Sequence, residues 1–165
     1  MGLTRIIRHL VLPDWWVRRP LSAAVRAAIE RAIADSETSH RGELRFVAET
    51  DLPLRALLRG ESARERAIEV FSRLGVWDTE ENSGVLIYVQ LVDRRVEILA
   101  DRGINARVPQ SEWDAICRRL EQAYRRSAFE SGTVAAIGEI SGLLRRHFPA
   151  AATNPNELPD RPLVL

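Results

Sequence analysis

The chain contains no lysine: all 24 of its Lys+Arg residues are arginine. That absence excludes Schiff-base chemistry, the lysine of a phosphate-binding P-loop and the catalytic lysine of a kinase. The single cysteine, Cys117, excludes an internal disulfide and an all-cysteine metal site. His9, His40 and His147 have no partner at ligand or triad spacing, so neither a conventional zinc site nor a Ser/His/Asp arrangement is expected. They read as surface or helix-cap residues. The sequence also lacks G-x-S-x-G, H-E-x-x-H, G-x-G-x-x-G and an EF-hand loop. No apolar run approaches the roughly 20 residues that span a bilayer. The net charge is only +1, and the arginines are spread around the domain, so no nucleic-acid partner is expected.

What is present is an ordinary globular composition, 45% apolar and 28% charged over 165 residues, enough for one domain with its own core. Three parts are expected: a basic, aromatic N-terminal segment over 1–20, a domain over 21–149, and a Pro-rich extended tail over 150–165. In the first, Leu3, Ile6, Ile7, Leu10 and Val11 share a helix face, Pro13 ends it, and Trp15-Trp16 and Arg18-Arg19 follow. Two readings stand: a basic anchor on anionic lipid or a membrane protein, or a short helix packed on its own domain. In the tail, Leu163-Val164-Leu165 is an apolar end that docks on a surface or frays.

Within the domain, Leu21, Ala24, Val25, Ala28, Ile29, Ala32 and Ile33 mark an amphipathic helix. Leu44, Phe46 and Ala48 alternate with Glu43, Arg45 and Glu49, as in a half-buried strand. Pro53 and Gly60 bracket a loop or short helical turn. Ser62 and Glu65 form a capping box before a helix burying Ala67, Val70, Phe71 and Leu74, with Gly75 at its C′ position. Val85–Val92 is apolar almost throughout and reads as a central strand covered on both faces. Asp93-Arg94 suggests a two-residue turn into the alternating strand 95–101. Two further helices follow, with stripes Trp113, Ile116, Cys117, Leu120, Tyr124 and Val134, Ile137, Ile140, Leu144. Cys117 reads as a buried small hydrophobe. The order is α/β, with helices on both faces of a short mixed sheet.

A two-residue turn sets Gly84 opposite Gly103. The start of the central strand, the end of the third strand and Glu43 then share one sheet end. Glu43, Asp78, Asn82 and Asp101 would converge there as hard oxygen donors suited to Ca²⁺ or Mg²⁺. The structural alternative is that Asp78 or Thr79 caps a turn and Asp101 pairs with an arginine.

Phe71-Ser72-Arg73-Leu74-Gly75-Val76-Trp77-Asp78-Thr79, Asn82–Val89 and Val96-Glu97-Ile98-Leu99-Ala100-Asp101-Arg102-Gly103-Ile104 resemble the TPM domain. So do Trp113, the Phe129…Gly132 approach to the last helix, and His147-Phe148-Pro149. The resemblance covers roughly residues 20–149. It implies a three-layer α/β/α sandwich and a divalent-cation site near the polar loop before the central strand. Some members of the family are acid phosphatases; others act at membranes, in photosystem repair or receptor assembly. The loop commonly read Asn-Asn-Gly is Asn82-Ser83-Gly84 here, so no ligand is carried over to position 83. Most relatives have a signal peptide and a membrane anchor. This sequence shows neither, which implies a cytoplasmic or membrane-peripheral form. Two functions follow as expectations: a non-enzymatic cation-binding module serving a membrane-protein assembly, or a metal-dependent phosphomonoesterase with Asp101 or Asp78 as base or nucleophile and Arg102 as phosphate clamp.

Overall fold

The computed structural model describes residues 3–12, 19–151 and 155–165. Trp15, Trp16 and Arg18, part of the expected anchor, lie outside the described residues. The described elements are α1 (Leu3–Val11), a 3-10 turn (Arg19–Leu21), α2 (Ala23–Glu37), β1 (Glu43–Glu49), α3 (Leu54–Arg59), α4 (Ala63–Arg73), β2 (Gly84–Gln90), β3 (Arg95–Ala100), α5 (Arg102–Asn105), α6 (Gln110–Arg125), α7 (Phe129–His147) and β4 (Leu163–Val164). The four strands form one mixed sheet in the order β3-β2-β1-β4. β1 is parallel to β2 and to β4, and β3 is antiparallel to β2.

Alternation along the strands divides the core in two. Leu44, Phe46, Val85, Ile87, Val89, Val96 and Ile98 face Ile29 and Ile33 of α2, Trp113 and Ile116 of α6, and Ile137 and Ile140 of α7. Val47, Leu86, Tyr88 and Leu99 face the other way, onto Ala63, Ala67 and Val70 of α4, Val76 and Leu158. Every residue of β2 is buried, as expected for a strand covered on both faces. The chain is therefore α/β, with helices on both faces of a four-stranded mixed sheet.

Local signals set both ends of α4. The Ser62–Glu65 capping box is complete. After α4, Gly75 adopts φ 64, its N–H bonds Ser72 O, and Val76 N–H bonds Phe71 O. These are the two bonds of a Schellman motif, and Val76 is fully buried behind them.

Four expectations are corrected. The β2–β3 connection is a four-residue loop, Leu91–Arg94, because Gln90 pairs with Arg95. The side chain of Gln90 holds it open, accepting from Asp93 N–H at 2.7 Å and donating to Thr50 O at 3.2 Å. The register moves by two residues, so no side chain changes face. Second, α7, expected from the sequence to run from about Thr133 to His147, begins a turn earlier at Phe129. Third, His9 and His40 are buried, not on the surface. Fourth, β1 is buried on both faces, Glu43 and Glu49 included, because the C-terminal residues cover it. Leu165 N–H bonds Ala48 O and Thr50 N–H bonds Leu165 O, while Arg45 donates to Pro159 O and Arg161 O. The apolar tail end thus docks on its own domain as β4.

Burying Glu49 requires compensation. Arg66 of α4, itself 4% exposed, donates from Nε to Glu49 Oε2 at 2.9 Å and from Nη2 to Oε1 at 2.6 Å. Tyr88 donates its hydroxyl to Glu49 Oε2 at 2.6 Å. Burial and the adjacent carboxylate push the Tyr88 phenol well above its ordinary range. This cluster ties α4 to the sheet. Arg66→Ala leaves the Glu49 carboxylate buried without its counter-charge and is expected to cost about 3–5 kcal/mol. Urea unfolding of the two proteins checks it; a loss below about 1 kcal/mol would mean the pair behaves as a surface one.

Candidate divalent-cation site

The site is organised by Gly84, the first residue of β2. A Cβ there would sit 1.8 Å from Val76 O, so only glycine lets the chain after α4 pass over the sheet. On one side Gly84 pairs with Glu43; on the other, Gly84 O accepts Asp101 N–H at 2.8 Å. Glu43, Gly84 and Asp101 therefore form one row on the same sheet face. The backbones at its ends stand about 10 Å apart, two strand spacings. The Val76 backbone fills the space over Gly84 between them.

The structure brings Asn82 and Asp101 together. Asp101 is the N-cap of α5. Its Oδ1 accepts Arg102 N–H at 2.7 Å, and its buried Oδ2 has no hydrogen-bond partner among the described residues. Asn82 holds φ 54, a left-handed conformation that asparagine tolerates. Its Oδ1 accepts Arg102 Nε–H at 2.7 Å, and its carbonyl accepts Gly103 N–H at 3.1 Å. A Cβ on Gly103 would meet Asn82 O at 2.7 Å and Glu81 O at 2.8 Å. Two backbone carbonyls thus lie against Gly103, two residues along the chain from Asp101.

Glu43 and Asp78 are placed differently. The Glu43 carboxylate accepts the backbone N–H groups of Glu157 and Leu158 at 3.1 and 3.0 Å, so it holds the tail. Asp78 is exposed on the outer part of the loop. Ser83 is fully buried. Its hydroxyl donates to Arg41 O at 3.0 Å and its N–H to Thr79 Oγ1 at 2.8 Å, so position 83 braces the loop. Among the described residues no three His, Cys, Asp or Glu side chains group as metal ligands. The donors that fit a hard cation are Asp101 Oδ2 and loop carbonyls, with water completing the shell, a set in keeping with Mg²⁺ or Ca²⁺.

A family model described as the TPM domain matches residues 19–143. The chain belongs to the TPM domain family. Its fold is similar to the NMR structure of BA42 protein from the psychrophilic bacterium Bizionia argentinensis. The two are 29% identical with a TM-score of 0.77, and the match covers 87% of this chain and 94% of that one. A search of the curated proteins returned no match. The loop and lip of this TPM domain, residues 76–84 and 101–103, both fall inside the matched region.

Sequence reasoning missed a second polar cluster, at the tail seam. Glu37 accepts Leu44 N–H at 2.7 Å and hydrogen-bonds the Asp160 carboxyl. Burial, with Glu43 and Asp160 close by, pushes its carboxyl up to about 9. Glu37 is therefore protonated at neutral pH and can donate to Asp160. A signal existed: Ile29, Ile33 and Glu37 are spaced by four, so Glu37 lies on the apolar stripe of α2. His40 is likewise buried, which lowers its imidazole to about 4. Burial pushes the Cys117 thiol up to about 12, so it is inert at neutral pH.

These shifts give stability a signed pH dependence. Between pH 4.5 and 9 the folded state holds a proton on Glu37 that the unfolded chain releases, so stability falls as pH rises. The loss is at most about 1.4 kcal/mol per pH unit. His40 acts at the other end: its contribution is complete above 6.5 and is lost as pH falls towards 4. Glu37→Gln keeps both hydrogen bonds without an ionisable proton. Melting temperatures between pH 6 and 9 are expected to fall less for Glu37→Gln than for wild type; parallel curves would contradict the assignment.

Proposed function

We propose that this TPM domain is a divalent-cation-binding module without catalytic activity that serves the assembly or maintenance of a membrane protein. The observation that carries the cation is the Asp101 carboxylate. One oxygen caps α5 and the other is buried without a hydrogen-bond partner among the described residues. A buried carboxylate oxygen without a partner is costly, and a hard cation beside the Glu81 and Asn82 carbonyls would remove the cost. Asp101 and the Asn82 loop would hold the ion, which supplies a local positive charge and ties the loop to the lip of β3. Glu43 and Asp78 are natural ligands on spacing alone; the hydrogen bonds of Glu43 and the exposure of Asp78 favour Asp101 with the loop carbonyls.

The membrane part of the reading draws on α1 and α3. Ile6 packs against Leu52, Ala56 and Leu57, and Arg5 donates from Nε to Asp93 at 2.8 Å. Ile7 and Val11 are left exposed beside Arg8, and Leu54 and Leu58 beside Arg55 and Arg59. Exposed apolar residues among arginines suit an anionic membrane surface or a membrane protein. Among the described residues no helix is long and apolar enough to cross a membrane, so the association would be peripheral.

A metal-dependent phosphomonoesterase draws on one observation, the Arg102 guanidinium beside the loop, which could clamp phosphate. Its Nε is already committed to Asn82, which favours the binding module.

Adding Ca²⁺ or Mg²⁺ is expected to shift the amide signals of residues 79–84 and 101–105, and Asp101→Asn to weaken that response at least tenfold with the fold intact. Hydrolysis of p-nitrophenyl phosphate is expected to stay at background throughout. Metal-dependent turnover that disappears in Asp101→Asn would establish the phosphatase instead, and an absence of shifts in both segments would remove the cation. Sedimentation with phosphatidylglycerol-containing vesicles tests the surface. Wild type is expected to pellet and the Ile7→Asp/Val11→Asp variant to remain in solution; equal behaviour of the two would exclude α1.

A further inference from the structure

A cavity of about 720 Å³ opens at the far end of β2 from Asp101. Its size falls in the range of roughly 300–1,000 Å³ typical of small-molecule sites. None of its lining residues belongs to the candidate cation site, so the two stand or fall separately. The interior is apolar, with Leu12, Val89, Val92 and Phe129 among its walls. Two of the polar side chains in the lining, Tyr124 and Gln90, are already committed. The Tyr124 hydroxyl shares a 2.7 Å hydrogen bond with Thr133 Oγ1, and the Gln90 amide is held by Thr50 and Asp93.

The arginines among the lining residues are different. Arg8 of α1, Arg94 of the β2–β3 loop and Arg125 at the end of α6 all line the cavity and are exposed. Arg125 has a partner, Glu121, at 3.7 Å. Arg8 and Arg94 have no acidic partner among the described residues. The neighbouring acid, Asp93, is committed to Arg5 at 2.8 Å and to His9, whose Nε2 lies 3.2 Å from Oδ1. Burial opposes ionisation of Asp93, but His9 and Arg5 outweigh it and hold its carboxyl below the usual range. The same clamp fixes α1 against the loop, so Arg8 and Arg94 are presented by anchored elements. Arg94 also holds φ 54, a left-handed conformation that favours glycine or asparagine. A bulky cation is kept where glycine or asparagine would be easier.

We propose that this cavity binds a small amphiphilic anion, with an alkyl chain in the apolar interior and a phosphate or carboxylate head at Arg8 and Arg94. Guanidinium groups suit either head, through paired charge-assisted hydrogen bonds. The apolar walls require a tail, so inorganic phosphate alone would bind poorly.

The test uses the intact protein, with calorimetry and amide shifts, and probes below their micelle-forming concentrations. Dodecyl phosphate and dodecanoate form two parallel arms; dodecyl maltoside and inorganic phosphate are the controls. Saturable binding in either charged arm, with shifts at residues 89–94 and 124–129, supports the proposal, and the tighter arm identifies the head. Arg8→Ala/Arg94→Gly, in which glycine suits the positive φ, is expected to weaken binding about tenfold or more. Leu12→Trp, which fills the apolar wall, is expected to abolish it. Should Leu12→Trp not fold, the double variant and the salt dependence of wild-type binding still decide. Equal affinity for the neutral amphiphile, unchanged affinity in the double variant, inorganic phosphate binding as tightly as its alkyl ester, or no shifts in the two segments would each overturn it.

Discussion

Seven consecutive buried residues, Gly84–Gln90, place a demand on everything around them. A strand apolar on both faces must have a layer on each. On one face α2, α6 and α7 meet that demand with long apolar stripes. On the other, α4 covers β2 and β3 and reaches β1 at Val47 and Glu49, leaving the start of β1 to the C-terminal residues. The C-terminal residues close that gap, with Leu158 over the sheet and β4 along its edge. The polar cost of this cover is met locally: Arg66 and Tyr88 satisfy Glu49, the tail N–H groups satisfy Glu43, and Glu37 keeps its proton. Pairing a strand to an exposed edge also removes open hydrogen-bonding groups.

The same strand separates the candidate cation site from the cavity. At its start, Gly84 admits the Val76 backbone and so lets the polar loop lie against the lip of β3, where Asp101 has a buried oxygen with no hydrogen-bond partner among the described residues. At its end, the four-residue loop carries Arg94 beside α1 and an apolar cavity. Six residue steps of about 3.3 Å put roughly 20 Å between these ends, so ligands at the two sites would not touch. Any coupling would have to pass through the rigid strand, whose core is close-packed.

Much of this was legible in the residues. The capping box of α4, its Schellman ending at Gly75 and the uninterrupted apolar run of β2 are local signals, and each predicts what forms. The combination of loop, central strand and Asp101-Arg102-Gly103 also carries the TPM resemblance. The candidate site was half legible. Asn82 and Asp101 meet, because a two-residue error in register preserves the face on which a side chain lies. The engagement of Glu43 was not legible, since its partners are backbone N–H groups 114 and 115 residues away. The tail reads as extended for a sound reason: its prolines preclude a regular element over most of it, yet they leave the last residues free to pair.

By itself the sequence determined where helices and strands form, which face of each is apolar, and that chemistry needing lysine or a disulfide has no place here. Those properties depend on residue type and short spacing. The tertiary structure decided which charges are buried and who answers them. Glu49 with Arg66, Glu43 with the tail and Asp101 with one oxygen unpartnered among the described residues look alike in the sequence, as acidic residues near strand ends. They differ because burial and hydrogen bonding are set by elements distant in the chain, and no local pattern encodes that distance.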